Sequence, residues 1–186
     1  DKILEEKTEQ LETAKEKKRF LKEVDIVELI LKDHKPLKKL IKIMKNSDKS
    51  FSERRAAFEE FAPLLTAHAK PEETVLYTYM KSNEDLREEG HEGDVEHTIA
   101  DELVNECKST RDEDLLSARI KVLAELVEHH IEEEESDLLP SFKRHSKAEN
   151  RAQLGSDFLS LKEAYPVPEG SDVLSKAKAT NRKMHH

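Results

Sequence analysis

Nine histidines stand in this chain of 186 residues, and four of them recur in a pattern. His68 opens the run H-A-K-P-E-E-T-V-L and His130 opens H-I-E-E-E-E-S-D-L, so both read H-x-x-x-E-E-x-x-L. Upstream of each lies an acid–histidine pair. Asp33-His34 puts a histidine 34 positions before His68, and Glu96-His97 puts one 33 positions before His130. On a helix, residues i and i+4 lie one above the other, so Glu72 projects beside His68 and Glu134 beside His130. Imidazole nitrogens and carboxylate oxygens together are the donor set of a transition-metal site. The candidate ligands are His34, His68, Glu72, His97, His130 and Glu134.

The apolar residues around these histidines say where they point. His34 has Leu31, Ile30, Val27 and Val24 three, four, seven and ten positions before it. His68 has Leu65, Leu64, Phe61 and Phe58 at the same offsets, and His130 has Val127, Leu126, Leu123 and Ile120. These offsets share one helical face, so the three histidines face a core. His97 lacks that upstream run. It has Ala100, Leu103, Val104 and Cys107 after it, matching Leu37, Leu40, Ile41 and Met44 after His34. Burying four imidazoles and two carboxylates unpartnered would be very costly, and a metal ion offsets that cost.

The elements that position them are helices. Apolar periodicity marks a first helix over Val24–Met44, closed by Asn46-Ser47-Asp48. A second begins at a Ser50 or Ser52 cap and ends at Ser82-Asn83, a third carries Ile99–Cys107, and a fourth starts near Ser109-Thr110. Gly90 and Gly93 read as the turn before the third. Pro63 and Pro71 fall inside the second and predict a bend or bulge there. A short fifth segment occupies about 150–164, and Pro, Gly, Ser and Lys dominate after Pro166. The expected fold is all-α: an up-down antiparallel four-helix bundle with extra terminal helical segments. Its parts would be a charged N-terminal helical extension over 1–18, the bundle over 19–147, and a short helix with a flexible tail over 148–186. In such a bundle the four histidines reach one layer.

Composition narrows the partners. Charged residues make up 39% and apolar ones 35%, with a mean hydropathy of −0.81 and only four glycines and six prolines. That composition suits helices and offers no apolar run of about 18 residues for a membrane span. The net charge of −9 argues against a phosphate-neutralising nucleic-acid binder. A single cysteine, Cys107, closes no internal disulfide, and no signal-peptide pattern is visible. Both observations suit a reducing compartment, and the expected location is cytoplasmic.

Four nitrogens with two carboxylates suit iron or manganese, and zinc also accepts them. If both carboxylates bridge two ions, the protein supplies about eight bonds where two octahedral ions take about twelve. The remaining positions fall to water, hydroxide or an exogenous ligand such as oxygen.

At these residues the chain resembles the hemerythrin-like family, also called HHE cation-binding domains. The likeness covers roughly residues 20–147 and rests on Asp33-His34, His68-x3-Glu72-Glu73, Glu96-His97 and His130-x3-Glu134-Glu135. It implies a four-helix bundle with a non-haem di-iron centre, two iron ions that an oxo group can bridge, reacting with dioxygen or a related small redox species. Family members serve as oxygen binders, redox sensors, and iron-handling or stress proteins. Oxygen-carrying members have an H-x-x-x-H pair in the third helix, where this chain has Gly93 before His97 and Asp101 after it. Their last helix carries an acid five positions after the histidine, which here is Glu135. More carboxylate and less nitrogen tilt the expectation from reversible oxygen carriage toward redox reaction, sensing or iron storage.

Other readings compete. Since 41 of the 186 residues are acidic, a lone H-x-x-x-E carries little weight, and the joint pattern carries the inference. His129 with Glu133 offers a second register about 100° from the apolar stripe. Glu135 and His91 are possible extra ligands, Asp33 and Glu96 could orient histidines, and Tyr79 lies on the His68 face. Cys107 reads as a small core residue, and His145, His185 and His186 as surface or tail. Three functions fit: a di-iron protein binding or sensing oxygen, nitric oxide or peroxide, or handling iron; a di-iron peroxidase or oxidase; and a metal-free helical interaction module.

Overall fold

The structure, a computed structural model, describes residues 14–167. Most of the expected N-terminal extension, the tail from residue 168, and His185 and His186 lie outside the described residues. Eight helices are present among the described residues: α1 (Ala14–Glu23), α2 (Ile26–Met44), α3 (Phe51–Glu72), α4 (Thr78–Ser82), α5 (Arg87–Ser109), α6 (Glu113–Glu133), α7 (Leu139–Arg144) and α8 (Ala148–Lys162). A π-helical turn, Glu73–Tyr77, joins α3 to α4, and another, Glu134–Leu138, joins α6 to α7. The long helices α2, α3, α5 and α6 form the bundle, with α2 on α3 and α6, and α6 on α5 and α3. Short connections make α2/α3 and α5/α6 antiparallel neighbours.

Local signals set the boundaries. Ser50 caps α3 in a full capping box: its hydroxyl accepts from Glu53 N at 3.2 Å and its own N–H donates to Glu53 Oε2 at 2.9 Å. Helix α6 starts later than Ser109-Thr110 suggest, because Asp112 is the cap and accepts from Leu115 N at 2.8 Å. Asp25 caps α2 through Val27 N at 3.0 Å and also accepts from Arg151 Nε at 2.7 Å, which ties α8 to the start of the bundle. A Cβ on Gly155 would lie 1.7 Å from the Val24 carbonyl oxygen, so only glycine lets α8 approach there.

The expected turn at Gly90 and Gly93 is instead the first part of α5. These glycines serve packing rather than chain reversal. The expected distortion of the second helix does occur, but α3 runs through Pro63 and Pro71 and leaves the α pattern only after Glu72. The fourth helix is distorted at the equivalent place, Glu134–Leu138, with no proline in α6 before it. One π turn starts just after Glu72 and the other at Glu134, so the shared H-x-x-x-E motif, not proline, marks the place. Single π turns inside α-helices occur often at functional sites.

Two apolar cores lie along the bundle. One joins Leu37, Ile41, Met44, Phe61, Val104, Ile120 and Leu123. The other joins Ile26, Ile30, Leu76, Met80, Leu86, Phe142 and Phe158. Along the chain each histidine falls near the place where one core gives way to the other. Each core therefore closes one side of the polar layer against water.

Candidate metal centre

His34 on α2, His68 on α3, His97 on α5 and His130 on α6 meet in one layer, and all four are buried. Their rings form two edge-on pairs, His34 with His68 at 5.0 Å between centroids and His97 with His130 at 4.7 Å. Glu72 and Glu134 are equally buried, at 0% and 1% exposure. Glu134 Oε2 lies 3.2 Å from His34 Nε2 and 3.7 Å from His130 Nε2. Glu72 Oε2 lies 3.2 Å from His68 Nε2 and 3.8 Å from His97 Nε2. Each carboxylate thus reaches both histidine pairs. The six side chains present two groups of ligand atoms, His34/His68/Glu134 and Glu72/His97/His130, each within 4.8 Å.

Every imidazole turns Nε2 inward and Nδ1 outward to a carboxylate on the neighbouring helix. His34 Nδ1 donates to Glu135 at 2.9 Å, His97 Nδ1 to Glu73 at 3.2 Å and His130 Nδ1 to Glu96 at 2.5 Å. His68 Nδ1 stands 3.4 Å from Asp33 Oδ2, an ion-pair contact rather than an aligned hydrogen bond. The four links close a ring around the bundle, from α2 to α3 to α5 to α6 and back to α2. Each anchoring carboxylate is the sequence neighbour of a candidate ligand: Asp33 of His34, Glu73 of Glu72, Glu96 of His97, Glu135 of Glu134. A proton on Nδ1 leaves the Nε2 lone pair facing inward, the tautomer that binds metal.

Charge supports the same layout. Burial disfavours a charged His68, but Glu72 and Asp33 outweigh it and raise its pKa to about 10. His130 is raised against burial by Glu96 and Glu134. Burial also opposes ionisation of Glu134, yet His34 and His130 hold its carboxyl far below the usual range. In the metal-free chain the carboxylates therefore favour protonated imidazoles, and a bound cation would take the place of those protons on Nε2.

A metal ion fits these residues on one further observation. The buried atoms His34 Nε2, His68 Nδ1 and Nε2, Glu72 Oε1 and Oε2, and Glu134 Oε2 have no hydrogen-bond partner. Unpartnered buried polar atoms are rare and costly, and all of these except His68 Nδ1 belong to the inner set. His97 Nε2 and His130 Nε2 face each other at 3.0 Å, an arrangement of lone pairs that a shared cation relieves.

A sequence profile decides the family. That of the hemerythrin HHE cation binding domain matches residues 25–142, more than half of the chain. The chain belongs to this family. No curated protein and no solved structure matches it. The family match runs from the cap of α2 into α7 and takes in all six residues and both π turns. Family membership and the two His/Glu groups together fit metal binding.

Sequence reasoning missed Tyr77. Its phenol lies in the layer, fully buried, and donates to Glu134 Oε1 at 3.1 Å, with His97 Nε2 at 3.4 Å and His130 Nε2 at 3.5 Å. Burial first, then Glu134 and Glu72, keep the phenol protonated, so it acts as a donor. A straight α-helix would turn Tyr79 inward. The π turn adds one residue, bringing Tyr77 to the centre, while Tyr79 packs edge-on against Phe142 at 5.7 Å. Gly93 makes the room, since a Cβ there would meet the Tyr77 ring. His91 and His145 are exposed and away from the cluster. His129 is 68% exposed and pairs with Glu133 at 3.2 Å. Cys107 is buried in the apolar core.

Proposed function

We propose that the chain holds two iron ions in this centre and uses them to bind or sense dioxygen or a related small redox molecule such as nitric oxide or peroxide. The observation that carries the reading is that Glu72 and Glu134 each reach both histidine pairs, as carboxylates shared between two ions must. Iron is favoured by the donor set, four imidazole nitrogens with two carboxylates. Bound iron would supply one-electron chemistry and coordination positions that the protein leaves open.

The chain's own residues have separate tasks. His34, His68, His97 and His130 offer Nε2. Asp33, Glu73, Glu96 and Glu135 fix the ring orientations and keep protons on Nδ1. Tyr77 donates to one oxygen of Glu134 and leaves the other free for metal. The apolar cores on either side shield the layer from water. Among the described residues the titratable groups at the centre, Tyr77 included, are engaged with the inner six, which favours binding or sensing over a dedicated peroxidase or oxidase.

The test is spectroscopic. Iron-loaded protein should show charge-transfer absorption that changes when azide, nitric oxide or dioxygen is added to the appropriate oxidation state. The zinc-loaded protein should show none of these changes. An iron-loaded chain blind to all three ligands would overturn the reading.

A further inference from the structure

The four outer carboxylates are not equivalent. Lys38 pairs with Glu135 at 2.5 Å, Lys162 with Asp33 at 2.5 Å, and Lys70 with Glu73 at 3.1 Å. Among the described residues no lysine pairs with Glu96. On that side a cavity of about 300 Å³ opens between α5 and the α6–α7 segment and reaches His130 and Glu134. Its walls include Glu89, Glu92, Glu96, Glu133 and Asp137, against one basic residue, Arg144. At its inner end is Glu134, 1% exposed, whose Oε2 has no hydrogen-bond partner.

At the surface two residues of this passage, Glu96 and Glu133, meet His129, which lines an adjoining depression that shares Glu133. Atoms of Glu96, His129 and Glu133 lie within 4.8 Å of one another. His129 and Glu133 form their own H-x-x-x-E, one residue behind His130 and Glu134, so α6 carries two such registers, one turned inward and one outward. The first half of the chain has no counterpart, since Ala67 and Pro71 precede His68 and Glu72. The duplication falls on α6, which lines the cavity through His130 and Glu133.

We propose that Glu96, His129 and Glu133 form a transit site for a hydrated divalent metal ion, and that the acidic cavity is the route by which the centre is filled. The idea deepens the metal-centre reading and rests on it for the destination of the ion. The acidic walls concentrate cations, and the exposed triad holds the ion while it loses water. Glu96 belongs to both sites: one of its oxygens accepts from His130 Nδ1, so an ion at the triad lies one side chain away from an inner ligand.

The test uses the metal-free full chain with H129A/E133Q. Both residues are exposed and outside the inner six, so the fold and the inner complement should be kept. Manganese(II), followed by electron paramagnetic resonance, should reveal a weakly held ion in the wild type that the double variant lacks. Stopped-flow mixing with cobalt(II) should show the variant's centre filling about tenfold more slowly, with less dependence on salt, at unchanged final stoichiometry. No weak ion in the wild type, or equal filling rates, would overturn the transit site. A weak ion that H129A/E133Q removes, in a wild type whose inner residues take up no metal, would support the outer site and overturn the inner centre instead.

Discussion

Tyr77 occupies the space that a side chain at Gly93 would need: a Cβ there would lie 2.5 Å from Tyr77 Cζ and 2.8 Å from its hydroxyl oxygen. The tyrosine is fully buried and donates to Glu134, so it has nowhere to retreat. Gly93→Ala should therefore destabilise the fold by about 1–3 kcal/mol through overpacking. Tyr77→Phe keeps the ring but strips Glu134 Oε1 of its donor, and should lower the stability of the metal-free chain by about 1–3 kcal/mol. In a Tyr77→Ala background, Gly93→Ala should lose its penalty, because alanine is the better helix former once the clash is gone. Urea unfolding of the three variants and the double mutant checks this. Additive effects would contradict the contact.

Glu135 orients His34 without belonging to the inner six. Removing such a carboxylate typically weakens metal binding about 10- to 100-fold. Glu135→Ala leaves His34 Nδ1 without its acceptor and Lys38 without its partner. Competition with a chelator should show that loss of affinity at unchanged metal stoichiometry. An affinity within about twofold of wild type would mean that the outer ring is surface decoration.

Cys107 gives a pH prediction away from the centre. Burial raises its thiol from the ordinary 9.0 to about 11, Arg119 opposing and Glu106 assisting. A pKa raised on folding contributes stability that is complete below the unfolded value and disappears as pH rises through the folded one. The window is pH 9 to about 11. Cys107→Ala should flatten the alkaline loss of stability across that window. In the native wild type at pH 8, thiol reagents should react far more slowly than in denaturant. Equal reaction rates would place the thiol at the surface.

How much of this could be read from the sequence depends on what each feature rests on. The bundle and the convergence of the six residues follow from helical periodicity, which His34, His68 and His130 share with their apolar neighbours. Spacing alone also set Glu134 above Glu133, because only Glu134 shares the apolar face. The rest depends on where a helix departs from 3.6 residues per turn. The π turn after Glu72 exchanges Tyr79 for Tyr77; Pro71 signals a distortion there, but not which tyrosine it turns inward. Gly93 looks like a turn residue until the ring beside it is placed. The role of Glu73 and Glu135 was hidden for another reason: each serves a histidine on a different helix, a pairing fixed only by tertiary packing.

Six buried side chains are placed to hold a pair of metal ions. Elemental analysis of the chain expressed with added iron tests this most directly, alongside His68→Ala and His130→Ala. The wild type should carry about two irons per chain, and each substitution should strip them. A wild type that takes up no iron after attempted reconstitution, or one zinc in its place, would contradict the paired centre.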